Sequence, residues 1–310
     1  MSLKIFLENA KLKTNRGFSV FARNLIRALE KRGHSFASDL NNADIHLAFV
    51  TNTQRNSNIP LVQRLDGIYF NSAVNSNVMN KGIKNTYRLA DAVIIQSNFD
   101  KIVVENYFMP HKNSFVINNG TNLDTFRSIE PYKDKRIDKF ENVWAASARW
   151  VRPNKRGKEN IRYFIENASI TDCMLLTGTE GWGRDNPKEK FIEHDRIFSL
   201  GELPWQDHIS VLRRAKYFLH LAIADHCPNS VIEARACGCQ IVCSELGGTV
   251  EIAGPDAIVI KDMDWDYQTH FDHNNPPKMD FSKLSEIKYN KSININDIAI
   301  QYEEVFRSIL

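Results

Sequence analysis

The residues best suited to chemistry lie between Tyr217 and Gly254, where a predicted strand leads into a polar loop and then into a helix. Asp225 lies in the loop, and Glu233 lies about one and a half turns inside the helix. Pro228 suits the first helical position, where its missing N–H costs nothing. The spacing therefore predicts two carboxylates beside the start of one helix.

The start of this helix is a predicted anion site. The backbone N–H groups of Asn229, Ser230 and Val231 are expected to lack helical partners, and the positive end of the helix dipole points the same way. A phosphate is favoured there. Because the two carboxylates would repel a phosphate but accept hydrogen bonds from sugar hydroxyls, the pattern favours a ligand that carries both groups, such as a nucleotide-sugar.

A second set of charged residues follows another predicted strand. In ASARWVRPNKRGKENI, Arg149 and Lys155 are six positions apart. An arginine binds a diphosphate through a two-pronged fork and a lysine binds it as a point charge, so together they can neutralise a departing nucleoside diphosphate without a metal. Considered alone, such a run of charges more often faces solvent.

Together these segments resemble the retaining glycosyltransferases of family 4, which have the GT-B fold. The family pattern of two acids separated by seven residues, then small residues, a glycine and a buried strand, is matched by Asp225, Glu233, ARACG and CQIV, with Asp where the family has a first Glu. The resemblance implies that Glu233 holds the nucleotide ribose and that Asp225 contacts the donor sugar. It also implies that Arg149 and Lys155 clamp the diphosphate.

Further segments extend this resemblance over nearly the whole chain. SLGELPWQDHISVLRRAKYFL resembles the family's base-binding region, which assigns Gly201 to the nucleotide site. Gly17, in NRGFS, resembles the glycine-rich loop that faces the diphosphate. Asp66, in RLDGIYF, replaces a family histidine near the two sugars, so a structural turn and a substrate contact are equally open. His226 is a further candidate for substrate contact.

The elements that must position these residues alternate along the chain. Short runs rich in Ile, Val and Phe alternate with helical patterns, which is typical of parallel α/β domains. Only Gly17 follows the first strand, so a dinucleotide-binding dehydrogenase is disfavoured. The predicted fold class is α/β of the GT-B type: two Rossmann-like domains that face each other across a cleft, with a C-terminal helix that crosses back to the first domain.

The predicted domain boundaries follow from a charged, apolar-poor segment, SIEPYKDKRIDKFE, which we interpret as a linker. Residues 1–135 are expected to form an acceptor-side domain and residues 136–295 a nucleotide-sugar-binding domain. Residues 296–310 are expected to form the helix that packs back on the first domain. Beyond Pro255 the strand pattern degrades, and loop is expected there.

Composition limits the partners. With 310 residues, 43% apolar and 25% charged, the chain is typical of two globular domains, and its net charge of +3 is too balanced for a nucleic-acid binder. No apolar run approaches the ~18 residues of a membrane span, so a cytoplasmic protein is expected. Basic residues of the first helix leave weak peripheral contact with the inner face of the membrane as a minor hypothesis.

No metal and no other cofactor is expected. Cys237, Cys239 and Cys243 lack zinc-site spacing, the Asp-x-Asp of DMDWD falls after the last predicted strand, and GTEGWG is expected to be a turn. The sequence predicts a metal-independent, hexosyltransferase-like enzyme acting with retention on a nucleoside-diphosphate-sugar donor. Its acceptor would be a hydroxyl of a glycan or lipid-linked molecule, in cell-surface polysaccharide or glycolipid synthesis. The alternative is a nucleotide-sugar epimerase or a non-catalytic sugar-nucleotide-binding protein of the same fold.

Overall fold

The computed structural model describes residues 2–13, 17–179 and 194–310, and these fall into two compact units. Unit 1 contains the chain up to Asn122 together with Asp266–Phe271 and Ser292–Leu310. Unit 2 contains Leu123–Trp265 and Asp272–Lys291. Most of the predicted GTEGWG turn, residues 178–183, lies outside the described residues.

Unit 1 is built on a six-stranded parallel sheet of order β2-β1-β3-β4-β5-β6. Its central strands are nearly continuous apolar runs because helices cover both faces of such a sheet. The strands are β1 (Lys4–Glu8), β2 (Ser35–Ala37), β3 (Ile45–Phe49), β4 (Leu61–Arg64), β5 (Ala92–Ile95) and β6 (Ser114–Val116). The helices are α1 (Gly17–Lys31), α2 (Ser76–Leu89), α3 (Asn98–Phe108) and α9 (Ile295–Ser308), with a 3-10 turn at Leu40–Asn42.

The C-terminal helix α9 belongs to the core of unit 1. Tyr302 and Phe306 are buried in one apolar cluster with Phe21 and Leu25 of α1. Gly120 permits this approach, because a Cβ there would lie 2.7 Å from the Ile298 side chain. The predicted helix that crosses back to the first domain is therefore confirmed.

Unit 2 is built on a seven-stranded sheet of order β13-β12-β11-β10-β7-β8-β9, parallel except for β13. Its strands are β7 (Val143–Arg149), β8 (Cys173–Thr179), β9 (Ile197–Gly201), β10 (Tyr217–His220), β11 (Gln240–Ser244), β12 (Ile258–Ile260) and β13 (Leu284–Ser285). Its helices are α4 (Leu123–Arg127), α5 (Gly157–Asn167), α6 (Trp205–Arg214), α7 (Asn229–Ala236) and α8 (Thr249–Ile252), with a 3-10 turn at Pro153–Lys155.

The strand order of unit 2 reverses between β7 and β10. From β7 the chain adds β8 and β9 on one side, and it then returns to place β10, β11 and β12 on the other side. In open parallel sheets this reversal creates a crevice at the carboxyl ends of the two strands, where ligands bind.

The unit boundaries differ from the predicted 1–135, 136–295 and 296–310. The change of unit falls after Asn122, because α4 packs within unit 2: the Phe126 ring meets the Trp205 ring edge-on, 5.7 Å between centroids. Arg213 also donates a hydrogen bond of 2.9 Å to the Phe126 carbonyl. The chain returns to unit 1 at Ser292, just before α9.

The region beyond Pro255 is more structured than the sequence predicted. It contributes β12 and β13 to unit 2 and returns to unit 1 at Asp266–Phe271, where the His270 ring lies 2.7 Å from the Ser76 hydroxyl. Strands of three and two residues are too short to show a periodic pattern, which is why they were missed.

Candidate functional site

The sequence-predicted basic and acidic residues of unit 2 follow the two strands at the reversal point. Arg149 ends β7, and the 3-10 turn after it carries Lys155. The loop after β10 is tied to this turn, because the Ile223 N–H donates a 2.9 Å hydrogen bond to the Asn154 carbonyl. Asp225 follows directly. Two segments far apart in sequence thus meet at the carboxyl edge of the sheet.

Asp225 forms the centre of a three-residue cluster. Its Oδ2 atom accepts a charged hydrogen bond from Lys155 Nζ and lies 3.0 Å from His220 Nε2. Its Oδ1 atom accepts a 3.1 Å bond from the His226 backbone N–H. The side chains of Lys155 and Asp225 are 15% and 17% exposed, so the ion pair is partly accessible from outside the protein.

The backbone at Asp225 is held by a close approach that only glycine allows. Asp225 pairs with Gly247 in a parallel bridge, and the Gly248 N–H donates to the Asp225 carbonyl at 2.7 Å. Gly247 has a φ of +143°, and a Cβ there would lie 2.9 Å from that carbonyl. The Gly247-Gly248 turn therefore fixes the direction in which the Asp225 side chain leaves the loop.

The electrostatics of the cluster keep Asp225 ionised. Burial opposes this, but the positive charge of Lys155 and the hydrogen bond from His220 hold the pKa of Asp225 well below its ordinary value. Burial lowers the pKa of His220, with its bond to Asp225 opposing the change. At neutral pH His220 is therefore a neutral imidazole that donates its Nε2–H, and the Lys155 ammonium carries the positive charge.

Glu233 has the opposite electrostatic environment. It is 9% exposed on α7, and its Oε1 atom accepts a 2.8 Å hydrogen bond from the Trp205 indole. The nearest basic ring, His208, stands 3.7 Å from Oε2. Burial raises the pKa of Glu233 to about 7, and the Trp205 bond lowers it only partly. The carboxyl group is therefore near its midpoint of ionisation at neutral pH.

Helix α7 begins one residue later than the sequence predicted, with Pro228 as its N-cap and Asn229 as its first residue. Asn229 and Ser230 lie half-buried in its first turn. The expectation for Val231 is wrong: its N–H donates to the Pro228 carbonyl at 3.1 Å, because the first turn is closed by a 3-10 type bond. Val231 is buried and cannot offer that N–H to a phosphate.

Three further predicted residues of unit 2 are placed around this region. Arg149 is exposed, and its guanidinium has no hydrogen-bond or ion-pair partner among the residues the structure describes. Gly201 ends β9 with a φ of +67°, which turns the chain toward α6. His226 is half-buried directly beside Asp225.

The two predicted site residues of unit 1 are Asp66 and Gly17. Asp66 accepts hydrogen bonds from the Arg64 guanidinium and the Gln96 amide. Arg64 is fully buried, with its guanidinium 4.5 Å from the Phe21 ring centroid. The structure thus gives Asp66 a structural partner, while its side chain stays 29% exposed. Gly17 is the first residue of α1.

Sequence reasoning missed several residues of the unit 2 site. His220 ends a predicted apolar strand, where a histidine is ordinarily a core residue, although the carboxylate five residues later is a signal for its role. Trp205 and Glu233 are 28 residues apart, and no local pattern connects them. Arg156 was also missed: its guanidinium forms two bonds, of 2.6 and 2.9 Å, with Asp262.

This Arg156 pair also accounts for the Asp-x-Asp sequence that begins at Asp262, since both side chains are almost fully buried. Within the described ranges, no group of three or more His, Cys, Asp or Glu side chains is placed to hold a metal ion. A cavity of about 270 Å³ at the start of α5 is lined by Trp150 and Arg156 but not by Asp225 or Glu233.

Comparison with known proteins bears on the class of this chain. Residues 185–269, which include Gly201, Asp225 and Glu233, match the family of glycosyl transferases group 1. One subunit of the human phosphatidylinositol N-acetylglucosaminyltransferase is 29% identical over 92 residues, which cover 29% of this chain and 19% of that protein. The aligned region therefore spans less than a fifth of this relative.

Solved structures resemble the chain along almost its whole length. Sucrose-phosphate synthase from Thermosynechococcus elongatus has a TM-score of 0.67 at 15% identity, covering 99% of this chain and 98% of that one. The catalytic domain of starch synthase IV from Arabidopsis thaliana, bound to ADP and acarbose, has a TM-score of 0.66 at 10% identity, covering 100% and 99%. Anabaena HepE in complex with UDP-glucose has a TM-score of 0.60 at 16% identity, covering 99% and 98%.

These likenesses confirm the predicted fold class, two parallel α/β domains of the GT-B type. The group 1 match and the fold together support a glycosyltransferase. None of the helices in the described part of the chain has the length and apolar character needed to cross a membrane.

Proposed function

We propose that the protein is a retaining glycosyltransferase that moves a sugar from a nucleoside-diphosphate donor to a hydroxyl of a glycan or lipid-linked acceptor. The observation that carries this proposal is the cluster at the strand reversal of unit 2. There, Arg149 ends β7 and Lys155 follows it, Asp225 follows β10, and Glu233 lies in the helix that comes next.

The basic residues supply hydrogen-bond donors suited to a diphosphate. An ammonium group has three donors, and Lys155 uses one on Asp225, which leaves two for phosphate oxygens. The exposed guanidinium of Arg149, at the end of β7, offers a two-pronged fork. As the glycosidic bond breaks, negative charge develops on the departing diphosphate, and these two cations stabilise that charge.

The acidic residues serve the sugar groups. Glu233 Oε2 accepts no hydrogen bond from residues 2–13, 17–179 or 194–310, which leaves it for a ribose hydroxyl. Asp225 holds the Lys155 ammonium and orients the donor sugar. Solved proteins of similar fold include one in complex with UDP-glucose and one bound to ADP and acarbose, which supports a nucleotide-sugar donor.

The proposed reaction needs no metal, because Arg149, Lys155 and the start of α7 supply the positive field. We place it in the cytoplasm, with cell-surface polysaccharide or glycolipid synthesis as its setting.

The test is a donor screen followed by product analysis. Purified protein is mixed with a panel of nucleoside-diphosphate sugars, and binding is measured as a rise in melting temperature, since a ligand of the folded state stabilises it. Donors that bind are then incubated with glycan and lipid-linked acceptors, and the anomeric configuration of the product is determined by NMR. An inverted product would contradict retention, and binding without nucleotide release would favour the non-catalytic alternative.

A further inference from the structure

Trp205 and Glu233 form a hydrogen-bonded pair that the proposed mechanism does not explain. The indole Nε1–H donates a hydrogen bond to Glu233 Oε1, with 2.8 Å between the nitrogen and the oxygen. Trp205 is the first residue of α6, and the Glu233 side chain comes from α7. The bond therefore joins two helices at the group that the proposed function assigns to the ribose.

The Trp205 ring is itself held in place. Its edge-on contact with Phe126 has a centroid distance of 5.7 Å, and Phe126 is 2% exposed. The Phe126 carbonyl accepts a 2.9 Å bond from Arg213, which lies on the same helix as Trp205. Because the ring is packed on one edge and its N–H is directed at Oε1, the indole fixes one oxygen of Glu233 and leaves Oε2 for another donor.

The groups that face Glu233 leave Trp205 as its main polar partner. His208, from α6, has its pKa lowered to about 4 by burial and is neutral above that pH. Cys237, on the turn after α7, has its pKa raised to about 12, first by burial and then by the Glu233 charge, so it stays a thiol. On the neighbouring elements, Glu251 of α8 is neutralised by Lys291, and His220 of β10 bonds to Asp225.

We propose that Trp205 is a positioning residue for donor binding: its indole N–H fixes Oε1 of Glu233 and holds the side chain in the rotamer that accepts the ribose hydroxyls. This inference rests on the proposed function, because it assumes that Glu233 contacts the nucleotide. Burial raises the pKa of Glu233 to about 7 against the opposing effect of Trp205. Loss of the indole N–H therefore raises that pKa further and weakens nucleotide binding at neutral pH.

The experiment measures the affinity for UDP and for ADP by calorimetry between pH 5.5 and 9. The variant Trp205→Phe keeps a ring against Phe126 but removes the donor. We expect its affinity to be about fivefold below wild type at pH 7 and to approach wild type at pH 9, which corresponds to an upward shift of about one unit in the pKa of Glu233.

The matched control is Trp144→Phe. The Trp144 indole donates a 2.9 Å hydrogen bond to Asp172 Oδ2 in the core of unit 2, so this variant also loses a buried bond from indole to carboxylate. We expect it to lower the melting temperature but to leave the pH dependence of nucleotide affinity unchanged. A purely structural role of Trp205 would make the two variants behave alike.

Glu233→Gln separates this inference from the proposed function. We expect weaker binding with no inflection near pH 7, and no further change when Trp205→Phe is added. If Glu233→Gln weakens binding but Trp205→Phe keeps the wild-type pH profile, the positioning role is overturned and the ribose role stands. If Glu233→Gln binds both nucleotides as wild type does, the ribose role and this inference are both wrong.

Discussion

The two units each contain a basic residue bonded to an aspartate just after a sheet strand, and the two pairs differ in burial. In unit 1 the Arg64 side chain is 0% exposed, lies against Phe21 and is bonded to Asp66. In unit 2 the side chains of Lys155 and Asp225 are 15% and 17% exposed. The comparison shows that the residue types of an ion pair do not by themselves decide whether the pair is structural or functional.

Burial decides what each cation can do. Burial disfavours the charged form of Arg64, but the Asp66 carboxylate raises the pKa of Arg64. If the guanidinium moved away, the Asp66 carboxylate would lose its cation. Such a pair fixes the fold of its unit. Lys155 is accessible and can share its donors with a diphosphate, so its pair suits binding and turnover. The following predictions test this division of roles.

The largest expected effect is on the stability of unit 1. Arg64→Ala removes a fully buried cation and leaves Asp66 and the buried amide of Asn119 without the donor that now reaches them, at 2.7 Å in the case of Asn119. Breaking a buried pair in this way costs about 3–5 kcal/mol, so chemical denaturation should show a clear loss in unfolding free energy. Arg136→Ala is the control, because Arg136 bonds Asp134 with the same two-residue spacing but is 62% exposed. Equal stability losses in the two variants would contradict the comparison.

A buried carboxylate that has no cation beside it should destabilise the folded protein when it is ionised, and Glu233 tests this. Its pKa is raised to about 7, so between its ordinary value and 7 the folded protein binds more protons than the unfolded chain. Stability therefore falls as the pH rises through this window, and the full penalty is present above pH 7. Glu233→Gln removes the penalty and should raise the unfolding free energy by roughly 3 kcal/mol at pH 8.5, with little change at pH 4.5. Melting temperatures at the two pH values check this; a gain at pH 4.5 alone would contradict it.

The accessible cation of unit 2 should matter for turnover more than for folding. Lys155→Ala removes a charged hydrogen bond to the diphosphate worth roughly 1.5–3 kcal/mol, so kcat/KM should fall about tenfold to a hundredfold. The melting temperature should fall less than in Arg64→Ala, because Asp225 keeps its hydrogen bonds from His220 and from the His226 N–H and is 17% exposed. Lys158→Ala, at an exposed position three residues away, is the matched control and should keep full activity. Undiminished transferase activity in a stable Lys155→Ala protein would refute the diphosphate role.

The smallest expected effect is that of chelation. Since Arg149, Lys155 and the start of α7 supply the positive charge, EDTA should leave the rate of sugar transfer unchanged. The measurement is donor turnover with and without EDTA, followed by addition of Mn²⁺ or Mg²⁺. An activity that EDTA abolishes and a divalent cation restores would show that the two cations are insufficient.

The fold could be predicted from the sequence because its signals are local and repeated. The apolar runs that became β3, β5 and β7 are each long enough to distinguish strand from loop, and the face of α1 shows clear helical spacing. The order of the strands does not follow from any local signal. The short strand β12 and the return of Asp266–Phe271 to unit 1 depend on contacts between distant segments, which the sequence does not encode locally.

The candidate site was predictable only where its residues form a motif. Asp225 and Glu233 have a recognisable spacing, and Lys155 follows a strand end. The partners that set their ionisation come from elsewhere: His220 precedes the motif, and Trp205 belongs to another helix. The Val231 prediction failed because a free N–H depends on how the first turn closes, which is a matter of backbone geometry.

The placement of α9 has a consequence for the order in which a growing chain can fold. Unit 1 contains residues that precede unit 2 in the chain, but its core also includes Tyr302 and Phe306, which are synthesised after unit 2. Unit 2 is already complete at Lys291. Domains generally fold as units during synthesis, so the unit that starts second is expected to finish first. Until α9 is synthesised, the apolar face of α1 around Leu25 lacks the α9 residues that cover it, and an uncovered apolar face of this kind is prone to aggregation.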